Sequence, residues 1–148
     1  MYEILKEKNV LYIEDDEVVL ENIGTTLANF FKTFYTAQSG EKGYEVFLEK
    51  EIDIILVDIE LPHINGIELI KKIRLTNLTI PIIIISAYTK TDYLLESIEL
   101  NLNKYIVKPL TSKKLYELLD NLNKTFLSQN KITILNKIYD KKEFTKKE

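Results

Sequence analysis

Asp58 closes the apolar run of IILVDIELPHINGIEL, a placement that needs a reason, because an unpartnered carboxylate in apolar surroundings is costly. Glu14, Asp15 and Asp16 follow a second apolar run, Ser86 ends a third and Lys108 a fourth. Carboxylates gathered in one pocket repel one another, and each holds its proton more tightly unless a cation offsets the charge. The chain has no cysteine and a single histidine, His63, so any such ion is held by oxygen. Mg²⁺ fits best, since it takes hard oxygen ligands, keeps several waters and is commonly held by one or two carboxylates with a phosphate. Glu14 and Asp15 would hold it directly or through water, with Asp58 as a further ligand. As an ionised carboxylate, Asp58 is also the nucleophile toward phosphorus, giving an aspartyl phosphate. Lys108 would pair with phosphoryl oxygens as a point charge, and the Ser86 hydroxyl would donate to another oxygen. No general base is required.

The elements that must bring these residues together are legible in the periodicity. Strand-like runs span Val10 to Ile13, Phe34 to Ala37, Ile52 to Val57, Ile80 to Ile85 and Tyr105 to Val107, all rich in β-branched or aromatic residues. Between them, Leu20, Ile23, Leu27 and Phe30 share a helical face, as do Ile67, Ile70 and Ile73. Leu115, Leu118, Leu119, Leu122 and Phe126 make a longer face, and the segments around Glu41 to Leu48 and Asp92 to Leu100 supply two further helices. Five strands alternating with five helices predict an α/β fold, a doubly wound five-stranded parallel sheet with right-handed crossovers. Sites in such sheets form beyond the carboxyl ends of the strands. The second strand ends at Ala37 with nothing reactive. It therefore belongs at an edge, which gives the flavodoxin-like order 2-1-3-4-5.

The segments YIEDDE, LVDIELPHINGIEL, IIISAY and YIVKPL, in this order and at these strand ends, resemble the receiver domain of two-component response regulators, the family of the chemotaxis receiver. The resemblance covers about Val10 to Leu127. It implies that Asp58 accepts phosphate from a partner histidine kinase and that Glu14 and Asp15 place Mg²⁺. It further implies that the backbone carbonyl of Glu60 is a third protein ligand and that the Lys108–Pro109 bond is often cis. Tyr105 becomes the ring that moves inward when Ser86 turns toward the phosphoryl group. The face of the fourth helix, fifth strand and fifth helix, including Tyr93 and Tyr105, becomes the site of homodimerisation or effector contact. Glu14 stands where many members have Asp, and Ser86 where Thr is common. Glu60 and Tyr88 occupy positions that influence how fast the acyl phosphate is lost.

Plainer roles exist for each residue. Asp58 could cap a helix or turn, Asp16 and Glu17 suit the positive end of the first helix, and Pro62 and Gly66 read as loop punctuation. His63 reads as exposed and inert. A haloacid-dehalogenase-type phosphatase also uses a strand-end Asp, Mg²⁺, a hydroxyl and a Lys, but carries its nucleophile on the first strand and needs a cap for which this chain has no room. A scaffold that never takes phosphate is the remaining alternative. The reading is thus of a phosphoacceptor signalling domain rather than an enzyme.

Composition bounds the partners. No apolar run approaches the roughly 18 residues of a membrane span, and MYEILKEKNV lacks a secretory pattern, so a cytoplasmic protein is expected. Of the net charge of −3, residues 128–148 contribute six lysines against three acids, leaving −6 on residues 1–127. With Arg74 the single arginine, direct nucleic-acid reading by this segment is not expected. Residues 1–127 read as the receiver domain and residues 128–148 as a basic linker or tail or the truncated start of an output domain that would be fused beyond residue 148. The tail contains a short strand-like run, Ile132 to Leu135.

Overall fold

The computed structural model describes residues 1–87 and 91–147; Tyr88 lies outside them. Five strands, β1 (Asn9–Ile13), β2 (Thr33–Ala37), β3 (Ile54–Val57), β4 (Ile82–Ser86) and β5 (Lys104–Val107), alternate with α1 (Glu17–Ala28), α2 (Gly40–Glu49), α3 (Gly66–Arg74), α4 (Thr91–Ile98) and α5 (Ser112–Lys147). All strand pairs are parallel, in the order β2-β1-β3-β4-β5. The expected topology holds. A 3-10 turn over Glu3–Glu7, which no periodicity marked, precedes β1.

Side-chain alternation sends successive strand residues to opposite faces. Val10, Tyr12, Leu56, Ile83, Ile85 and Ile106 pack with Leu20 and Leu27 of α1 and with Leu115, Leu118, Leu119 and Leu122 of α5. On the other face Leu11, Ile13, Ile55, Val57, Ile82 and Ile84 pack with Ile67, Ile70 and Ile73 of α3. Burial on both faces explains why the central strands read as continuous apolar runs. Each fully buried aliphatic side chain contributes about 1.5–3 kcal/mol.

Boundaries differ from the sequence expectation where local chemistry intervenes. Strand β4 opens at Ile82 rather than Ile80, because Pro81 has no N–H to place in the ladder. Strand β3 opens at Ile54; the preceding Asp53 instead accepts the backbone N–H of Asn9 across 2.8 Å. Helix α1 stops at Ala28, leaving Phe30 to close a turn against Leu27.

The largest difference is at the C-terminal end. Helix α5 runs 36 residues, so Ile132 to Leu135 are helical rather than strand-like. Extending an existing helix needs no new nucleus and satisfies its own backbone, whereas a lone strand would leave its N–H and C=O groups to find a neighbour. The helical preference of β-branched residues is only slightly below that of the best formers.

Candidate functional site

Sheet register builds the site. Ile13 stands opposite Val57 and Ser86 opposite Val107, so the residues that follow Ile13, Val57 and Val107 leave the sheet at one end. Backbone hydrogen bonds carry the ladder one step further, from Asp58 N–H to Ile13 O at 3.0 Å and from Lys108 N–H to Ser86 O at 2.8 Å. Glu14, Asp58 and Lys108 thereby arrive together from three strands.

They line an open cleft of about 890 Å³ with Asp15, Glu60 and Asn65. Glu14, Asp15 and Asp58 each offer a carboxylate oxygen, and those oxygens lie within 4.8 Å of one another. Glu14 and Asp58 are buried and Asp15 is exposed. Lys108 Nζ donates to Asp58 Oδ2 at 2.8 Å and also to Glu14 Oε1. Asp58 Oδ1 accepts the backbone N–H of Glu60 at 3.2 Å, and Asp16 caps α1 by accepting from Val18 N and Val19 N. The Lys108–Pro109 peptide is cis.

Electrostatics follow from this crowding. Burial is the chief reason the Glu14 carboxyl is pushed up to about 7; the Asp58 charge adds to the rise, and the Lys108 hydrogen bond opposes it. Burial alone would weaken the proton affinity of Lys108, but its hydrogen bonds to Asp58 and Glu14 outweigh that and hold it above the ordinary lysine value. Lys108 is therefore a fixed cation. Three carboxylates against one ammonium leave a formal excess of two negative charges, and hard oxygen donors of that charge suit a divalent ion.

Ser86 is fully buried at the end of β4. Half-buried Tyr105 is hydrogen-bonded to Ser86, and its hydroxyl is held above the usual tyrosine value by burial and by the Asp58 charge. All the catalytic and metal-site candidates thus come to one strand end, with Ser86 beneath rather than in the cleft wall. His63 is exposed, at a φ of 67°, and meets none of them.

Two further contributors carry little sequence signal of their role. Gly66, read as punctuation, begins α3 directly under Asp58: a Cβ there would lie 2.2 Å from the Asp58 carbonyl oxygen. The Asn65–Gly66 pair was the available signal, and Asn65 does cap α3 by accepting from Glu68 N at 2.9 Å. Arg74 stands out in the sequence only as the single arginine. It is buried, and its guanidinium donates to the carbonyls of Leu100, Asn77 and Asn101 at 2.9, 3.1 and 2.8 Å, tying the end of α3 to the chain after α4.

A family model described as the response regulator receiver domain matches residues 10–120. The chain is similar to a cyclic di-GMP phosphodiesterase of Thermotoga maritima, with 33% identity over 68% of this chain and 27% of that protein. It is also similar to the transcriptional regulatory protein RprY of Bacteroides fragilis, with 30% identity over 78% of this chain and 49% of that protein. It thus spans half or less of the length of these curated relatives. Among solved structures, the response regulator protein TrrA of Thermotoga maritima, in complex with Mg²⁺-BeF, superposes with a TM-score of 0.67 at 27% identity, covering 78% of this chain and 98% of that one. No helix among the described residues is long and apolar enough to cross a membrane.

Proposed function

The chain belongs to the response regulator receiver domain family, and we propose that within it Asp58 is the phosphoryl acceptor, served by Lys108 and Ser86, with Glu14, Asp15, Asp58 and the Glu60 carbonyl as the Mg²⁺ ligands. The observation that carries this reading is the Lys108 ammonium shared between Asp58 and Glu14 at the mouth of a three-carboxylate cleft.

The ion, when bound, supplies positive charge for the phosphoryl oxygens. The chain supplies the rest. An Asp58 oxygen forms a bond to phosphorus as the bond from phosphorus to the donor's imidazole nitrogen breaks, the electron pair leaving with that nitrogen. Lys108 stays protonated throughout and pairs with a phosphoryl oxygen, giving alignment and charge stabilisation rather than proton transfer. Water attack on the same phosphorus later releases inorganic phosphate and restores Asp58.

The donor is a sensor histidine kinase, and the output is a change of shape. Ser86 must leave Tyr105 to donate to a phosphoryl oxygen, so the phosphorylated state favours a different packing of Tyr105 and of the face made by α4, β5 and α5. A ligand that binds one packing better shifts the population by that difference. That face carries Tyr93, Tyr105 and the exposed Leu95 and Ile98, and it is the surface for an effector or for phosphorylation-dependent pairing. Residues 1–127 form the receiver unit in the cytoplasm, and residues 128–148 link it to an output domain of its own chain or of a partner.

The test is Mg²⁺-dependent labelling by acetyl phosphate. One phosphoryl group per chain, absent in Asp58→Asn, supports the reading. Repeated turnover of phosphate esters would point to a phosphatase, and absence of labelling to a scaffold.

A further inference from the structure

The walls of the cleft around Asp58 differ from one side to the other. Strand β3 lies between β1 and β4, so the acidic residues that follow β1 stand on one side of Asp58 and the residues that follow β4 on the other. Lys108 reaches in from beyond β4, with its ammonium engaged by Asp58 and Glu14. Among the described residues, the rest of the lining on that side is Ala87 and, from the first turn of α4, Tyr93. Ala87 offers a single methyl group, so the bulk there is the tyrosine ring. Tyr93 is half-buried and packs against the same apolar cluster as Tyr105 and as Leu61, which lines the cleft from the loop after β3. Its hydroxyl lies close enough to that of Tyr105 to add, after burial and the Asp58 charge, to the proton affinity of Tyr105.

This placement bears on the loss of the phosphoryl group. Hydrolysis needs a water at the mouth of the cleft, roughly in line with the bond from phosphorus to the Asp58 oxygen. The water oxygen bonds to phosphorus as that bond breaks; the electron pair stays on the Asp58 carboxylate, and the water's protons leave with inorganic phosphate or pass to solvent. An apolar wall beside a reactive intermediate slows such attack by excluding water. We propose that Tyr93 is a positioning residue for this step: its ring closes the β4 side of the mouth to water and so sets how long the phosphoryl group stays on Asp58. The inference rests on Asp58 being the phosphoryl acceptor. The effect belongs to the ring rather than to the hydroxyl, because it works by occupying space that a water would take.

The test follows the decay of the label. The full chain is phosphorylated with acetyl phosphate and Mg²⁺, the donor is removed by rapid desalting into Mg²⁺ buffer, and the phosphorylated fraction is read over time by intact-mass spectrometry. Tyr93→Ala shortens the half-life several-fold, while its Mg²⁺ affinity by calorimetric titration stays at the wild-type value. Tyr93→Phe, which keeps the ring, keeps the wild-type half-life. Glu96→Ala removes an exposed ion pair that α4 makes with Lys71 at 3.2 Å, and it too keeps the wild-type half-life, which separates shielding from a general loosening of α4. The proposal is overturned by an unchanged half-life in Tyr93→Ala, by a half-life in Tyr93→Phe or Glu96→Ala as short as that of Tyr93→Ala, or by a parallel loss of Mg²⁺ affinity in Tyr93→Ala. A wild-type chain that takes no label on Asp58 instead overturns the acceptor reading itself, and this proposal with it.

Discussion

Lys108 donates from Nζ to Oδ2 of Asp58 across 2.8 Å, joining the end of β5 to the end of β3 over the intervening β4. The same ammonium reaches Glu14, the residue after β1. One cation therefore bridges two of the three carboxylates and competes with any divalent ion for them.

That competition has two opposite consequences for Lys108→Met. Removing the ammonium leaves the cleft more negative, so Mg²⁺ affinity rises several-fold by calorimetric titration. The phosphorylation rate with acetyl phosphate falls by about tenfold or more, because one charge that stabilises the phosphoryl oxygens is gone.

Glu14 sets a pH dependence of unusual sign. Its carboxyl is pushed up to about 7 in the folded protein by burial, against an unfolded value near 4.3. The folded state thus holds the extra proton between those values, and the stability contributed by this group is present below pH 4 and lost as pH rises through 7. In Mg²⁺-free buffer, Glu14→Gln flattens the decline in urea midpoint between pH 5 and 8 relative to wild type. Mg²⁺ binding, which needs the ionised carboxylate, strengthens over the same interval.

Gly66→Ala places a Cβ on the Asp58 carbonyl, 2.2 Å away. Backbone must move. Overpacking of this kind costs about 1–3 kcal/mol, so the melting temperature falls, and Mg²⁺ affinity falls with it because the displaced main chain carries Asp58 and Glu60. A glycine mutated at a site remote from the cleft would change the first readout without the second.

Arg74→Lys loses at least two of the three carbonyl contacts, since an ammonium lacks the planar fork that spans Leu100, Asn77 and Asn101. Leaving the buried Leu100 carbonyl unpaired costs about 1–3 kcal/mol, and the half-buried Asn77 and exposed Asn101 carbonyls less. Hydrogen exchange then shows faster opening at the end of α4, while metal binding in the cleft is retained.

The site was readable because parallel strands in register deliver their next residues to one edge, so sequence order plus apolar runs sufficed to bring Glu14, Asp58 and Lys108 together. The sheet order followed from the same reasoning, since β2 ends at Ala37 with no group to contribute. What could not be read was tertiary. The position of Gly66 under Asp58 is a through-space approach with no periodic signature, and the Arg74 clamp joins segments that only the folded chain brings near. Residues 132–135 misled because four apolar residues in a row fit a strand as well as a helix, and the choice was made by the helix already running into them from Phe126.

The central claim is that Asp58 captures phosphorus within this cleft. Mass spectrometry of the protein after acetyl phosphate and Mg²⁺ tests it most directly. The account predicts one phosphoryl group per chain, mapped to Asp58, lost on chelation of the metal and absent in Asp58→Asn. Labelling that persists in Asp58→Asn, or that maps to another residue, would contradict it.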